Sequence, residues 1–232
     1  MILDAHPSEG SLVLLPEMFA TGYLPASLDD DVEDFSSSDS GETACMLSEA
    51  ATATSCTVMG AGIKKAGDKF LNHVSVYTPH ATKEFCGYDK MNLFFPEKDS
   101  FNPGDKINLF KTKHWKVASF ICYDLRFPEL FREATKQGAN LITVQAAWPA
   151  KRIEHWETLL KARAIENQVP SHRKPSLYRR RQRRKLPSQR KTSVCRDITR
   201  HFAKRRRHRQ SIRPKRRSYH RRTGPASRKG LP

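Results

Sequence analysis

The run ICYDLRFPEL, Ile121 to Leu130, sets a cysteine at the end of an apolar stretch and directly before a polar, helix-opening segment. Lys116 to Ile121 reads as a short buried strand, and Pro128 to Gln137 as the helix that follows, with proline in its first turn. Cys122 therefore falls on a strand-to-helix turn, which exposes the sulfur and aims backbone N–H groups at it. Such a setting predicts a thiol acidified below its ordinary range and ready donors for an oxyanion. The competing reading is a buried structural cysteine.

Two further segments favour chemistry. Ser11 to Leu15 reads as a strand, and Glu17 stands just beyond its C-terminal end, where open α/β sheets gather their sites. Lys90 lies in YDKMNLF among aromatic and apolar neighbours. Taken singly, Glu17 is as readily a solvated loop carboxylate and Lys90 a surface lysine. Taken with Cys122 they form a complete set: a base for the thiol proton, a fixed cation for developing negative charge, and a nucleophile.

The segments LPEMFATGY, YDKMNLF and ICYDLRFPEL resemble, in type, order and approximate spacing, the signature segments of the nitrilase, or carbon–nitrogen hydrolase, superfamily. Ala146 to Gln168, AAWPAKRIEHWETLLKARAIENQ, resembles its omega-amidase branch, which hydrolyses the terminal amide of 2-oxoglutaramate or 2-oxosuccinamate. The resemblance covers Ser11 to Gln168. It implies that Glu17 is general base to Cys122, that Lys90 and the Tyr123 backbone N–H hold the oxyanion, and that Glu97, in FFPEKDSFNPGD, positions Lys90 or the substrate. It implies no metal and no organic cofactor, a small-molecule amide substrate with water as the second reactant, and a homo-oligomer for the intact form.

Substrate contacts are less sharply drawn. Arg126 is placed to face a substrate carboxylate, or to pair with Glu129 or Glu133 on the following helix. Trp148 and Phe19 are candidates to wall the pocket, with core packing the plainer alternative for each. Trp156, Leu159, Leu160 and Arg163 recur at helical spacing, which gives that helix an inner or subunit-facing side and His155 no catalytic part.

The elements that must position these residues alternate in type. Strands are expected at 11–15, 57–63, 70–77, 83–87, 116–121 and 141–145, and helices at 42–54, 128–137 and 151–167. Asp29 to Ser40 reads as an acidic, serine-rich loop with Ser40 as helix cap. The mixed order predicts an α/β layered fold. The resemblance refines this to a nitrilase-like α-β-β-α sandwich, incomplete at both ends and followed by a disordered basic tail. Unpaired strand edges and bare apolar faces would follow from such losses, which predicts a polypeptide that folds poorly and has little activity as written.

Charge divides the chain into two unlike pieces. Residues 1–168 carry 17 Lys and Arg against 23 Asp and Glu, a net charge of −6, and form the partial catalytic domain. Residues 169–232 carry 25 Lys and Arg against one acid, Asp197, a net charge of +24. This segment has too little apolar surface to offset its chain entropy. At face value it is an arm for nucleic acid or an anionic surface, because blocks such as Arg179 to Lys185 neutralise phosphates.

The favoured reading is that the segment is out of frame. In the superfamily the helix ending RAIENQ leads into a buried strand, an Asn-Arg pair and a loop rich in Gly and Asp. Read one nucleotide forward, the codons of Ser171 to Ser176 permit V-I-G-N-R, and successive arginine codons become those of Gly, Asp, Ala, Val or Glu. Sequencing the coding DNA across Gln168 decides between the two.

No apolar run approaches the roughly 18 residues that span a bilayer, and no signal-like segment opens the chain. The five cysteines show no C-x-x-C pairing. A cytoplasmic protein in a reducing compartment is the expectation.

Overall fold

The computed structural model describes residues 2, 6–24, 28, 41–81 and 83–169. Ser40, most of the acidic loop before it and the arginine-rich segment from 170 onward, with the arm and reading-frame expectations attached to it, lie outside the described residues.

Four strands form the first sheet, in the order β1-β2-β3-β4: β1 Leu12–Leu14, β2 Thr57–Ala66, β3 Lys69–Tyr77 and β4 Cys86–Asp89. β1 runs parallel to β2, and the other pairs are antiparallel. β2 and β3 are joined by a two-residue turn in which Gly67 takes a φ of 62°, the left-handed conformation such hairpins need. The second sheet has the order β5-β6-β7: β5 Leu109–Lys111, β6 Lys116–Ile121 and β7 Leu141–Gln145. Its β6-β7 pair is parallel, with helix α2, Pro128–Lys136, as the crossover.

Most of β2, β3 and β6 is buried, because both faces of their sheets are covered. Helix α1, Glu42–Thr54, lays Ala44, Leu47, Ala50 and Ala51 on Leu15, Val58 and Tyr77. Its small residues let it sit close. A Cβ built on Gly60 would fall 2.7 Å from Leu47 Cδ1. On the opposite side, Met59, Ala61, Val74 and Val76 share a core with Val117, Ala118, Phe120 and Ile121 of the second sheet. Phe131 and Ala134 of α2, and Trp156 and Leu160 of α3 (Ile153–Asn167), close that core from outside. The layers are thus α-β-β-α.

Two expected elements differ in detail, and one strand was not expected. The strand expected at 83–87 is β4, shifted toward the C-terminus because its pairing with β3 sets Val76 opposite Cys86 and His73 opposite Asp89. β5 is absent from the sequence reading, since three residues are too few to show a period. The helix expected from Lys151 starts as a 3-10 turn, Ala150–Arg152, before α3 proper. Helix α1 is preceded by Gly41, which supplies no side-chain cap.

Candidate active site

Each chemical residue leaves a strand end. Glu17 lies two residues beyond Leu15, whose N–H donates to Met59 O. Lys90 directly follows β4, its N–H donating to Asn72 O and its own carbonyl accepting from Gly104 N, each near 2.9 Å. Cys122 follows β6 and opens a 3-10 turn, Cys122–Arg126, with a φ of 45°. A non-glycine residue held in that left-handed region stores about 1–3 kcal/mol of strain, which the surrounding structure must sustain. The turn also leaves its first N–H groups without a carbonyl one turn behind them.

These ends converge. Lys90 Nζ donates to Glu17 Oε1 at 2.9 Å and to Glu97 Oε2 at 2.8 Å and Oε1 at 3.0 Å. The Asn72 side-chain amide donates to Glu17 Oε1 at 2.9 Å and to Glu97 Oε1 at 2.6 Å. Ala147 N–H donates to Glu17 Oε2 at 2.9 Å, and Phe94 N–H to Glu97 Oε2 at 2.6 Å. The Cys122 thiol feels both charges, raised by the Glu17 carboxylate and lowered by the Lys90 ammonium. Glu17, Lys90 and Glu97 are at most 2% exposed and Cys122 is 8% exposed, so all four are buried.

Electrostatics assign protonation states. Burial pushes the Glu17 carboxyl up, but the Lys90 ammonium and the donors from Ala147, Lys90 and Asn72 outweigh it, and the net shift is down. Burial pulls Lys90 down, and the negative charges of Glu17 and Glu97, with the hydrogen bond to Glu97, more than reverse this, so it stays an ammonium. Cys122 is pushed well up, by burial first and then by Glu17. The acidified thiol expected from the turn is therefore corrected. Lys90 does favour the thiolate, but a carboxylate beside a buried sulfur wins. At rest the pair is a neutral thiol against an ionised carboxylate. Glu17 Oε1 already accepts two hydrogen bonds and Oε2 only one from nitrogen, so Oε2 is the freer oxygen for a proton.

The remaining expected residues divide. Arg126 makes no ion pair with Glu129 or Glu133. Its guanidinium lies over Trp148 at 5.2 Å and over Tyr123 at 5.9 Å, with His155 Nδ1 at 3.5 Å. Trp148 is buried against Trp156, with its indole N–H on Arg152 O, so it is core and at the same time the platform for Arg126. Tyr123 stacks between Phe94 and Phe127. Phe19 packs with the Leu15, Leu47 and Val58 cluster under α1, the plainer of its two alternatives, because Gly60 leaves room there for its ring.

Four participants are missed by sequence reasoning. Asn72, the Ala147 amide and Asp124 are joined by Tyr23, a half-buried residue whose phenol is raised by burial and by the nearby Glu17 and Glu97 charges. A polar Asn inside the apolar strand FLNHVSVY was the available signal for the first. Among the described residues no group of three or more His, Cys, Asp or Glu could hold a metal ion. No described helix is long and apolar enough to cross a membrane.

A four-layer sandwich that gathers a thiol, a carboxylate and an ammonium between its sheets defines the nitrilase class of α/β proteins. The chain belongs to the carbon–nitrogen hydrolase family, whose sequence profile matches residues 1–174. It is similar to 2-oxoglutaramate amidase of Bacillus subtilis, at 29% identity over 72% of this chain and 63% of that protein. It is also similar to omega-amidase NIT2 of Bos taurus, at 32% identity over 73% of this chain and 63% of that protein. The chain thus spans less than two thirds of the length of these relatives. Among solved structures, a CN-hydrolase superfamily protein of Xanthomonas campestris carries an arsenic adduct in its active site. It superposes with a TM-score of 0.65 at 29% identity, over 73% of this chain and 64% of that one. A mutant amidase of Nesterenkonia sp. AN1, with acrylamide added at its active-site cysteine, gives 0.61 at 25% identity, over 69% and 63%.

Proposed function

We propose that the cluster hydrolyses the C–N bond of a small linear amide through a cysteine thioester. Glu17 takes the Cys122 proton as sulfur attacks the carbonyl carbon, and the Lys90 ammonium with the free N–H groups of the turn stabilises the oxyanion. The proton on Glu17 passes to the leaving nitrogen, and ammonia departs. Glu17 then deprotonates water, which opens the thioester to a carboxylic acid and restores the thiol. Glu97 accepts from Lys90, Asn72 and Phe94, which occupies its lone pairs and suits it to holding Lys90.

The observation that carries this reading is the buried Lys90 ammonium bonded to Glu17 and Glu97 at 2.8–3.0 Å, with the Glu17 and Lys90 charges both acting on the Cys122 thiol. For the substrate, the terminal amide of a small omega-amido 2-oxo acid is favoured. Relatives named as omega-amidases support it, and so does Arg126, a half-buried cation stacked on aromatics with no acidic partner among the described residues. Ammonia release from 2-oxoglutaramate by the full chain tests the proposal. Release that disappears in Cys122→Ala with the fold retained supports it; release equal in the two proteins refutes it.

A further inference from the structure

Asp124 is fully buried and accepts four hydrogen bonds, two on each oxygen. Oδ1 receives Asn92 N–H at 2.8 Å and the Asn92 side-chain amide at 3.1 Å. Oδ2 receives Tyr88 O–H at 2.9 Å and Ile121 N–H at 3.0 Å. Tyr88 in turn accepts from Met91 N–H at 3.3 Å. The donors bracket Lys90 on both sides, and the last comes from the residue immediately before the nucleophile. One carboxylate therefore ties the lysine loop, which belongs to the first sheet, to the turn that leaves the second.

We propose that Asp124 is a positioning residue that locks Lys90 to Cys122 across the gap between the two sheets. It touches neither side chain and acts through Asn92, Tyr88 and Ile121. Only a carboxylate fills this place, because an asparagine keeps the two bonds from Asn92 but turns an NH2 toward the Ile121 N–H, which then has no acceptor. With the clamp loosened, the Lys90 ammonium drifts from the sulfur, and the thiolate loses the cation that favours it. The inference rests on Cys122 being the nucleophile, and its readout needs no turnover, so it can fail or stand apart from the amide chemistry.

The test is peptide-resolved alkylation of the full chain by iodoacetamide across pH, with Cys122 as reporter of the site and the fully buried Cys56 as reporter of the fold. In Asp124→Asn, alkylation of Cys122 at neutral pH slows about tenfold or more and its profile moves to higher pH, while Cys56 stays protected. Asn92→Ala acts in the same direction, and the double variant is no slower than the slower single one, as members of one network behave. An unchanged Cys122 rate and profile in Asp124→Asn overturns the proposal. So does a change that comes only with exposure of Cys56, since that is loss of fold and not of position. Ammonia release on the same samples separates the two readings: if it is absent while the alkylation pattern holds, the clamp stands and the amide chemistry falls.

Discussion

The Lys90 ammonium donates to Glu17 Oε1 at 2.9 Å, and the two charges act in opposite directions on the Cys122 thiol, Glu17 raising it and Lys90 lowering it. The base therefore suppresses the nucleophile until it accepts the proton. Glu17→Gln removes the charge that raises the thiol and leaves the lysine in place. Two measurements should then move in opposite directions. Alkylation of Cys122 at neutral pH becomes faster, while ammonia release falls by about 10²–10⁴. Slower alkylation in Glu17→Gln would contradict this arrangement of charges.

Asn72 spends one N–H on each carboxylate, and its donation helps hold Glu17 down. Asn72→Ala removes that help, so Glu17 titrates at higher pH and less of it is ionised in the acid range. The acid limb of kcat/KM should move up in pH, with a plateau loss of about tenfold from the lost hydrogen bonds. The limb belongs to the coupled carboxylate and thiol, and its shift is the quantity to compare with the unsubstituted chain. An acid limb that stays put assigns Asn72 to packing alone.

Arg126 separates two kinds of substrate. If its guanidinium receives a carboxylate, Arg126→Ala should raise KM for an omega-amido acid by about 10–100-fold, the worth of a charge-assisted hydrogen bond pair. The kcat/KM of an uncharged aliphatic amide should change little. Equal losses on both would mean that the stack on Trp148 serves only to hold the turn.

What the sequence makes legible here is chemistry carried by local context. Cys122 reads as a nucleophile because an apolar strand ends beside it, and Glu17 and Lys90 stand at comparable strand ends. Asn72 and Asp124 are different. Their partners lie 55 and 36 residues away, at Glu17 and Tyr88, and no local pattern encodes such pairings. The same limit explains the sulfur. The turn alone argues for an acidic thiol, whereas the burial that reverses it, and the carboxylate that adds to it, come from packing against the other sheet. Phe19 shows the converse case, since an aromatic ring beside a catalytic glutamate has the same pattern whether it faces a pocket or, as here, fills the space left by Gly60. The layers themselves were open to inspection, because strands buried on both faces show as continuous apolar runs.

On the β3-β4 pair, one residue after Asn72 and opposite Asp89, the neighbour of Lys90, His73 is buried between two carboxylates. Its Nδ1 lies 2.6 Å from Asp89 and its Nε2 2.6 Å from Glu84. Burial pulls the imidazole down, but the two acids outweigh it and its pKa is raised above 6.5. A raised folded pKa favours the folded state wherever the imidazolium forms, fully below 6.5 and progressively less as pH climbs through the raised value. Asp89, lowered by the same contact, adds stability that is lost only in acid, below 3.8. The melting temperature of the full chain should therefore fall as pH rises from neutrality into the alkaline range. His73→Gln should flatten that alkaline slope and cost about 1–3 kcal/mol at neutral pH, the worth of hydrogen bonds to charged groups, discounted because both acids are partly exposed. A slope that persists unchanged in His73→Gln would place the alkaline sensitivity elsewhere in the fold.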